Sequence, residues 1–110
     1  MAPTLDIESH PLDGGVELVL TGELDISSVS QLRDELRRLR TAEVPLVRLD
    51  ISALEFVDST GLRSLLVAAR DARVHGWKLA LTRAPAHVQQ MFELTRTEDV
   101  LPFEDRPPEG

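Results

Sequence analysis

The apolar residues of this chain change period as it is read, from every second residue to every third or fourth and back again. That switching constrains the fold more than any other feature. Leu5-Asp6-Ile7-Glu8 alternates apolar and polar, as a half-buried strand does. Leu12-Asp13-Gly14-Gly15 is turn chemistry, and Val16, Leu18 and Leu20 then alternate up to Thr21, which predicts a β-hairpin. From Ser28 to Arg40, the residues Val29, Leu32, Leu36 and Leu39 recur at helical spacing, and Ser28 with Gln31 three residues on fits a capping box. After Pro45, Leu46 to Ile51 reads as a short buried strand and residues 52–57 as a connection. Leu62, Leu65, Leu66, Ala69 and Ala72 mark a second helix from Thr60 to His75, with Gly76 where a C-terminal glycine belongs. Residues 77–82 read as a fourth strand, and Pro85 opens a third helix carrying Val88, Met91 and Phe92 on its apolar side. Val100, Leu101 and Phe103 are expected to form a short edge strand or an extended tail, with Pro102 favouring an edge.

The order β-β-α-β-α-β-α predicts an α/β fold. A small mixed sheet, the N-terminal hairpin plus parallel strands joined by right-handed crossovers, packs with helices. At 110 residues one domain is expected, spanning residues 1–105, with residues 106–110 as a disordered tail.

Charge and composition narrow the function. Twelve bases against nineteen acids give −7, which speaks against phosphate tracking and so against nucleic acid as a partner. Six of the acids and none of the bases fall in residues 1–27. The absence of cysteine removes disulfides and Cys-ligated metals, and no His, Asp and Glu set has ligand spacing, so neither metal nor other cofactor is expected. No apolar run approaches the ~20 residues that span a bilayer, and the N-terminus lacks signal-peptide character, so the expected location is cytoplasmic without membrane insertion.

In an open α/β sheet, ligands and partners gather at the carboxyl ends of the strands. Two polar segments are placed there. One is Gly22-Glu23-Leu24-Asp25 after the second strand, and the other is Asp58-Ser59-Thr60-Gly61 at the start of the second helix. Asp, Ser and Thr are all N-capping types, so the tetrad can serve the helix alone. The same helix end also offers unpaired N–H groups and positive dipole potential. A phosphate on Ser59 would add roughly −1.5 to −2 charges there. The fold can hold that charge on its amides, whereas a desolvated partner would be repelled.

The stretch from Leu49 to Leu62, centred on Asp58-Ser59-Thr60-Gly61, resembles the signature of STAS domains, and bacterial anti-sigma factor antagonists in particular. Gly22-Glu23-Leu24-Asp25 is similar to the second motif of that family, and the likeness covers roughly residues 5–103. The resemblance implies a non-enzymatic regulator. Such a protein binds an anti-sigma factor that is also a serine kinase, thereby freeing a sigma factor. Phosphorylation of Ser59 releases it, and a PP2C-type phosphatase resets it. ATP belongs to the kinase. Gly22, Glu23, Asp25, Asp58, Thr60, Gly61, Leu62 and Arg63 are the expected partner-binding residues, and a homodimer is compatible. One departure stands out: members often carry a Ser-Gly-Leu turn after the third helix, where this chain has Leu94-Thr95-Arg96-Thr97.

Rival readings are an enzyme and other STAS roles. His10, His75 and His87 are isolated, and only His87 is placed near the carboxyl edge, where it could serve Ser59 as a base. Gly-x-Ser-x-Gly is absent around Ser59. The other STAS roles are a subunit of a lipid-transport ATPase complex, a stressosome-type scaffold, and an interaction module that is never phosphorylated.

Overall fold

The computed structural model describes residues 4–104; residues 106–110, expected as a tail, lie outside the described residues. The chain runs β1 (Leu5–Leu12), β2 (Gly15–Leu24), α1 (Val29–Thr41), β3 (Leu46–Val57), α2 (Ser59–His75), β4 (Lys78–Leu81) and α3 (Ala86–Leu94). The four strands form one sheet in the order β1-β2-β3-β4. β1 and β2 are antiparallel, while β2 with β3 and β3 with β4 are parallel. Both crossovers step the same way across the sheet, so with right-handed connections α1 and α2 share one face. Leu81 and Phe103 form an isolated parallel bridge, so the expected edge strand is reduced to a single pairing. Leu18, Leu20, Leu49, Ile51, Leu65 and Phe92 form the fully buried centre of the core.

β2 and β3 both run further than alternation predicts. β3 continues through residues 52–57, read from the sequence as a connection. The reason lies in two register shifts against β2, between Val19 and Thr21 and between Gly22 and Glu23. Each places an extra β3 residue opposite β2 and resets the phase of the strand. Buried positions therefore move from Val47, Leu49 and Ile51 to Leu54 and Val57, a spacing of three that no longer looks like a strand. Gly22 sits at the second shift with φ of 107°, and a Cβ there would stand 2.2 Å from the Thr4 carbonyl oxygen.

All three helices end on a left-handed residue, yet only Gly76 after α2 is a glycine. After α1 the position is Glu43, and after α3 it is Arg96. The Arg96 N–H donates to Glu93 O (3.1 Å) and the Thr97 N–H to Phe92 O (3.0 Å), the paired bonds of a Schellman end. The departure at residues 94–97 thus keeps the backbone of a glycine turn on an arginine.

Candidate functional site

The site is built where β2 and β3 end together, at the pairing of Leu24 with Val57. Only Asp58 separates β3 from α2. Its backbone is still extended, at φ −93° and ψ −176°, as an N-cap requires. One carboxylate oxygen, Oδ1, accepts from the Gly61 N–H at 2.7 Å. The other, Oδ2, accepts from the Ile26 N–H at 3.1 Å, 32 residues earlier in the chain. A single side chain therefore fastens the β2–α1 loop to the start of α2. The Asp58 N–H donates to Leu24 O at 3.3 Å, and Asp58 O accepts from the Leu62 N–H at 2.9 Å.

Gly61 lets these parts touch. A Cβ at that position would stand 2.1 Å from the Leu24 carbonyl oxygen and 3.1 Å from Val57 Cγ1. No side chain fits between the helix start and the end of β2.

The loop opposite is ordered by its own polar groups. Asp25 accepts from the Ser27 hydroxyl (2.7 Å) and the Ser27 N–H (3.0 Å). These bonds, the hydroxyl first, hold its carboxyl below the usual aspartate range. Ser28 is fully buried, donates to Glu23 O at 2.8 Å, and accepts from the Asp25 N–H at 3.0 Å. The expected capping box does not form. Ser28 is the N-cap residue of α1, but its hydroxyl turns back to the loop, and Gln31 Nε2 donates to Leu5 O at 3.3 Å.

The two predicted segments thus meet, through Asp58 and Leu24. Ser59 is exposed at the first position of α2, with Arg63 exposed one turn on and Thr60 half-buried. Gly61 and Leu62 are buried and shape the site from beneath, and Glu23 and Asp25 are half-buried beside it. Asp58 occupies the Gly61 N–H, which leaves the first amides of the helix, those of Ser59 and Thr60, without an intrahelical partner. Two apolar residues escaped the sequence reading. Ile26, 75% exposed, is held by Asp58 through its N–H, and Phe56, 49% exposed, stands two residues before Asp58. Ile26 has only the signal of an apolar residue inside a polar turn, and Phe56 falls in the segment 52–57 that reads as a connection.

His87 does lie against β3. Its Nε2 is 2.7 Å from the Glu55 carbonyl oxygen, which can only accept, so that nitrogen carries the proton and is no base for Ser59. His75 sits by Asp71 near the far end of α2. Among the described residues, no group of three or more His, Asp or Glu is placed to hold a metal.

A four-stranded mixed sheet with an aspartate-capped, serine-led helix beside an acidic loop defines a small α/β module. The family model described as "Mlab, STAS domain" matches residues 12–102, and the chain belongs to the STAS domain family. Over 74 residues it is 32% identical to Osmosensory protein A of Mycobacterium tuberculosis, a match covering 67% of this chain and 46% of that protein, so it spans under half of that relative's length. It is 22% identical over 98 residues to the anti-sigma-B factor antagonist of Listeria monocytogenes, covering 89% of this chain and 85% of that one. Among solved structures, the anti-sigma factor antagonist SpoIIAA in its unphosphorylated form aligns with a TM-score of 0.75 at 20% identity, over 94% of this chain and 90% of that one. The phosphorylated form, from Bacillus, aligns with a TM-score of 0.70 at 18% identity, over 94% and 93%. At these identities the structures establish a shared fold.

Proposed function

We propose that this chain is an anti-sigma factor antagonist, switched off by phosphorylation of Ser59. The observation that carries the reading is the position of that hydroxyl: exposed, at the first residue of α2, directly after the aspartate that joins both motifs. The names of the antagonist relatives and the phosphorylated form of SpoIIAA support it.

In this reading the partner is an anti-sigma factor with serine kinase activity, which brings the ATP. It docks on the edge formed by Glu23, Asp25, Ile26, Asp58, Thr60 and Arg63. Ile26 and Phe56 give that contact its apolar part. The acids ask for basic residues on the partner. A phosphate on Ser59 is held by the free amides of α2, so the chain stays folded while the desolvated contact acquires an unpaired charge. A PP2C-type phosphatase reverses the step. The chain itself performs no catalysis, and the circuit is cytoplasmic; among the described residues no helix is long and apolar enough to cross a membrane.

The test is a comparison of Ser59→Ala and Ser59→Asp in calorimetric titration against candidate anti-sigma kinases, with phosphate mapping by mass spectrometry. Ser59→Ala should bind like the wild type, and Ser59→Asp should lose roughly 2–5 kcal/mol of binding. Equal affinities, or phosphate placed elsewhere with Ser59 untouched, sink the reading. A subunit of a lipid-transport ATPase complex or a stressosome-type scaffold would bind its partner with no dependence on charge at Ser59.

A further inference from the structure

A second surface carries the opposite sign. α1 and α2 leave a groove of about 520 Å³ between them, bordered on α1 from Val29 to Thr41 and on α2 from Thr60 to Asp71. Thirteen residues of α1 at ~1.5 Å each make a trough of roughly 20 Å, between three and four turns of a guest helix. Its floor is apolar. Leu32 and Ala68 belong to the core, Leu36 is half-buried, and Val67 lies 57% exposed.

The rim is basic. Arg33, Arg37 and Arg40 stand on the α1 side and Arg63 on the α2 side, against one lining acid besides them, Asp71. Asp71 is already engaged: it pairs with Arg40 and accepts from the Trp77 indole N–H at 2.8 Å. The Arg40 guanidinium stands over the Trp77 ring, 5.5 Å from its centroid, which fixes the tryptophan at the groove wall. Among the described residues, the carboxylate that Arg37 reaches is that of its helix neighbour Asp34, at 3.9 Å. Among the described residues Arg33 and Arg63 have no carboxylate partner. A chain of net charge −7 has thus gathered arginines around its apolar trough. Guanidinium forks match carboxylates, and an elongated apolar groove between two helices takes a third in the helix-in-groove manner.

We propose that the α1/α2 groove docks an acidic amphipathic helix of a partner protein. The apolar stripe of the guest lies on Leu36, Val67 and Trp77, and its carboxylates lie on Arg33, Arg37 and Arg63. The surface is distinct from the acidic edge around Ser59 and touches it only at Thr60 and Arg63. It selects a partner surface of the opposite charge, and Arg33 and Arg37 belong to it alone.

Trp77 is the single tryptophan of the chain, so its emission reports the groove directly. The probe is a synthetic helix of about four turns, with leucines at i, i+3, i+4 and i+7 spacing and flanking glutamates. A second peptide carries lysines in place of the glutamates, and a third arm uses dodecanoate as a small anionic amphiphile. The acidic peptide should change Trp77 emission saturably and move backbone amide resonances of Val29–Thr41 and Thr60–Asp71. The double variant Arg33→Glu/Arg37→Glu, at two exposed positions outside the Ser59 edge, should weaken it about tenfold or more and favour the lysine peptide. Unchanged circular dichroism verifies the fold of the variant. The proposal is overturned if the acidic peptide gives no saturable change, if the lysine peptide binds the wild type equally well, or if dodecanoate alone fills the groove.

Discussion

Replacing Gly61 by alanine sets two effects of opposite sign against each other. Within a helix, alanine is favoured over glycine by up to ~1 kcal/mol. Here the new Cβ would stand 2.1 Å from the Leu24 carbonyl oxygen, when real Cβ contacts essentially never fall below 3.0 Å. Leu24 must therefore recede by at least 3.0 − 2.1 = 0.9 Å, and the atom in the way is backbone, not the end of a flexible side chain. The same oxygen accepts from the Asp58 N–H at an already long 3.3 Å, so the shift breaks that bond. Losing it costs about 1 kcal/mol. Overpacking adds roughly 1–3 kcal/mol. Set against the helix gain, the net loss is about 1–3 kcal/mol, which in a domain of this size lowers the melting midpoint by roughly 4 °C or more. Urea and thermal unfolding followed by far-ultraviolet circular dichroism measure it. A Gly61→Ala midpoint at or above that of the wild type refutes the reasoning, because propensity would then outweigh the contact.

Two further outcomes follow from the site and from the wall of the groove. Asp58→Ala removes the cap of α2 and should lose about 0.5–2 kcal/mol of stability, and hydrogen exchange at the Ile26 amide should accelerate with it; an Ile26 amide exchanging as in the wild type would show that the bond to Asp58 does not hold the loop. The Asp71 carboxyl lies below the ordinary value of 3.8: burial pushes it up, but the Trp77 N–H and the Arg40 and His75 charges outweigh that. A lowered carboxyl stabilises the fold above its unfolded value and loses that contribution as pH falls through the folded one. Asp71→Asn should therefore be less stable than wild type near neutrality, with the gap closing below about pH 3.8 in acid titrations of unfolding.

Element order was legible because periodicity survives wherever a strand or helix is regular. It failed in residues 52–57, where two register shifts turn a period of two into one of three, so that a strand resembles a loop. The turn at Ser28 failed for another reason. A serine followed by glutamine three residues on fits a cap, but the buried hydroxyl found the Glu23 carbonyl, a partner set by the loop path. That one of Asp58, Ser59 and Thr60 caps α2 was readable from residue type and position, and the structure assigns the cap to Asp58. Its second bond, to Ile26, crosses 32 residues and depends on both strands ending together, which no local pattern encodes. The left-handed ends at Glu43 and Arg96 were hidden because the usual marker, glycine, is absent from both.

The missing loop between β3 and α2 has a consequence for signalling. Ser59 follows a central strand after one residue, and that residue is pinned to Leu24, to Ile26 and to Gly61. Among the described residues, no loop stands between β3 and α2 whose opening would be needed to expose the hydroxyl. In a partner-switching circuit such a chain contributes no threshold of its own. If Ser59 is the switch proposed above, the output of the chain is the ratio of phosphorylated to unphosphorylated molecules. Any steepness in the response then arises outside this chain, in the enzymes that modify it or in competition for the partner.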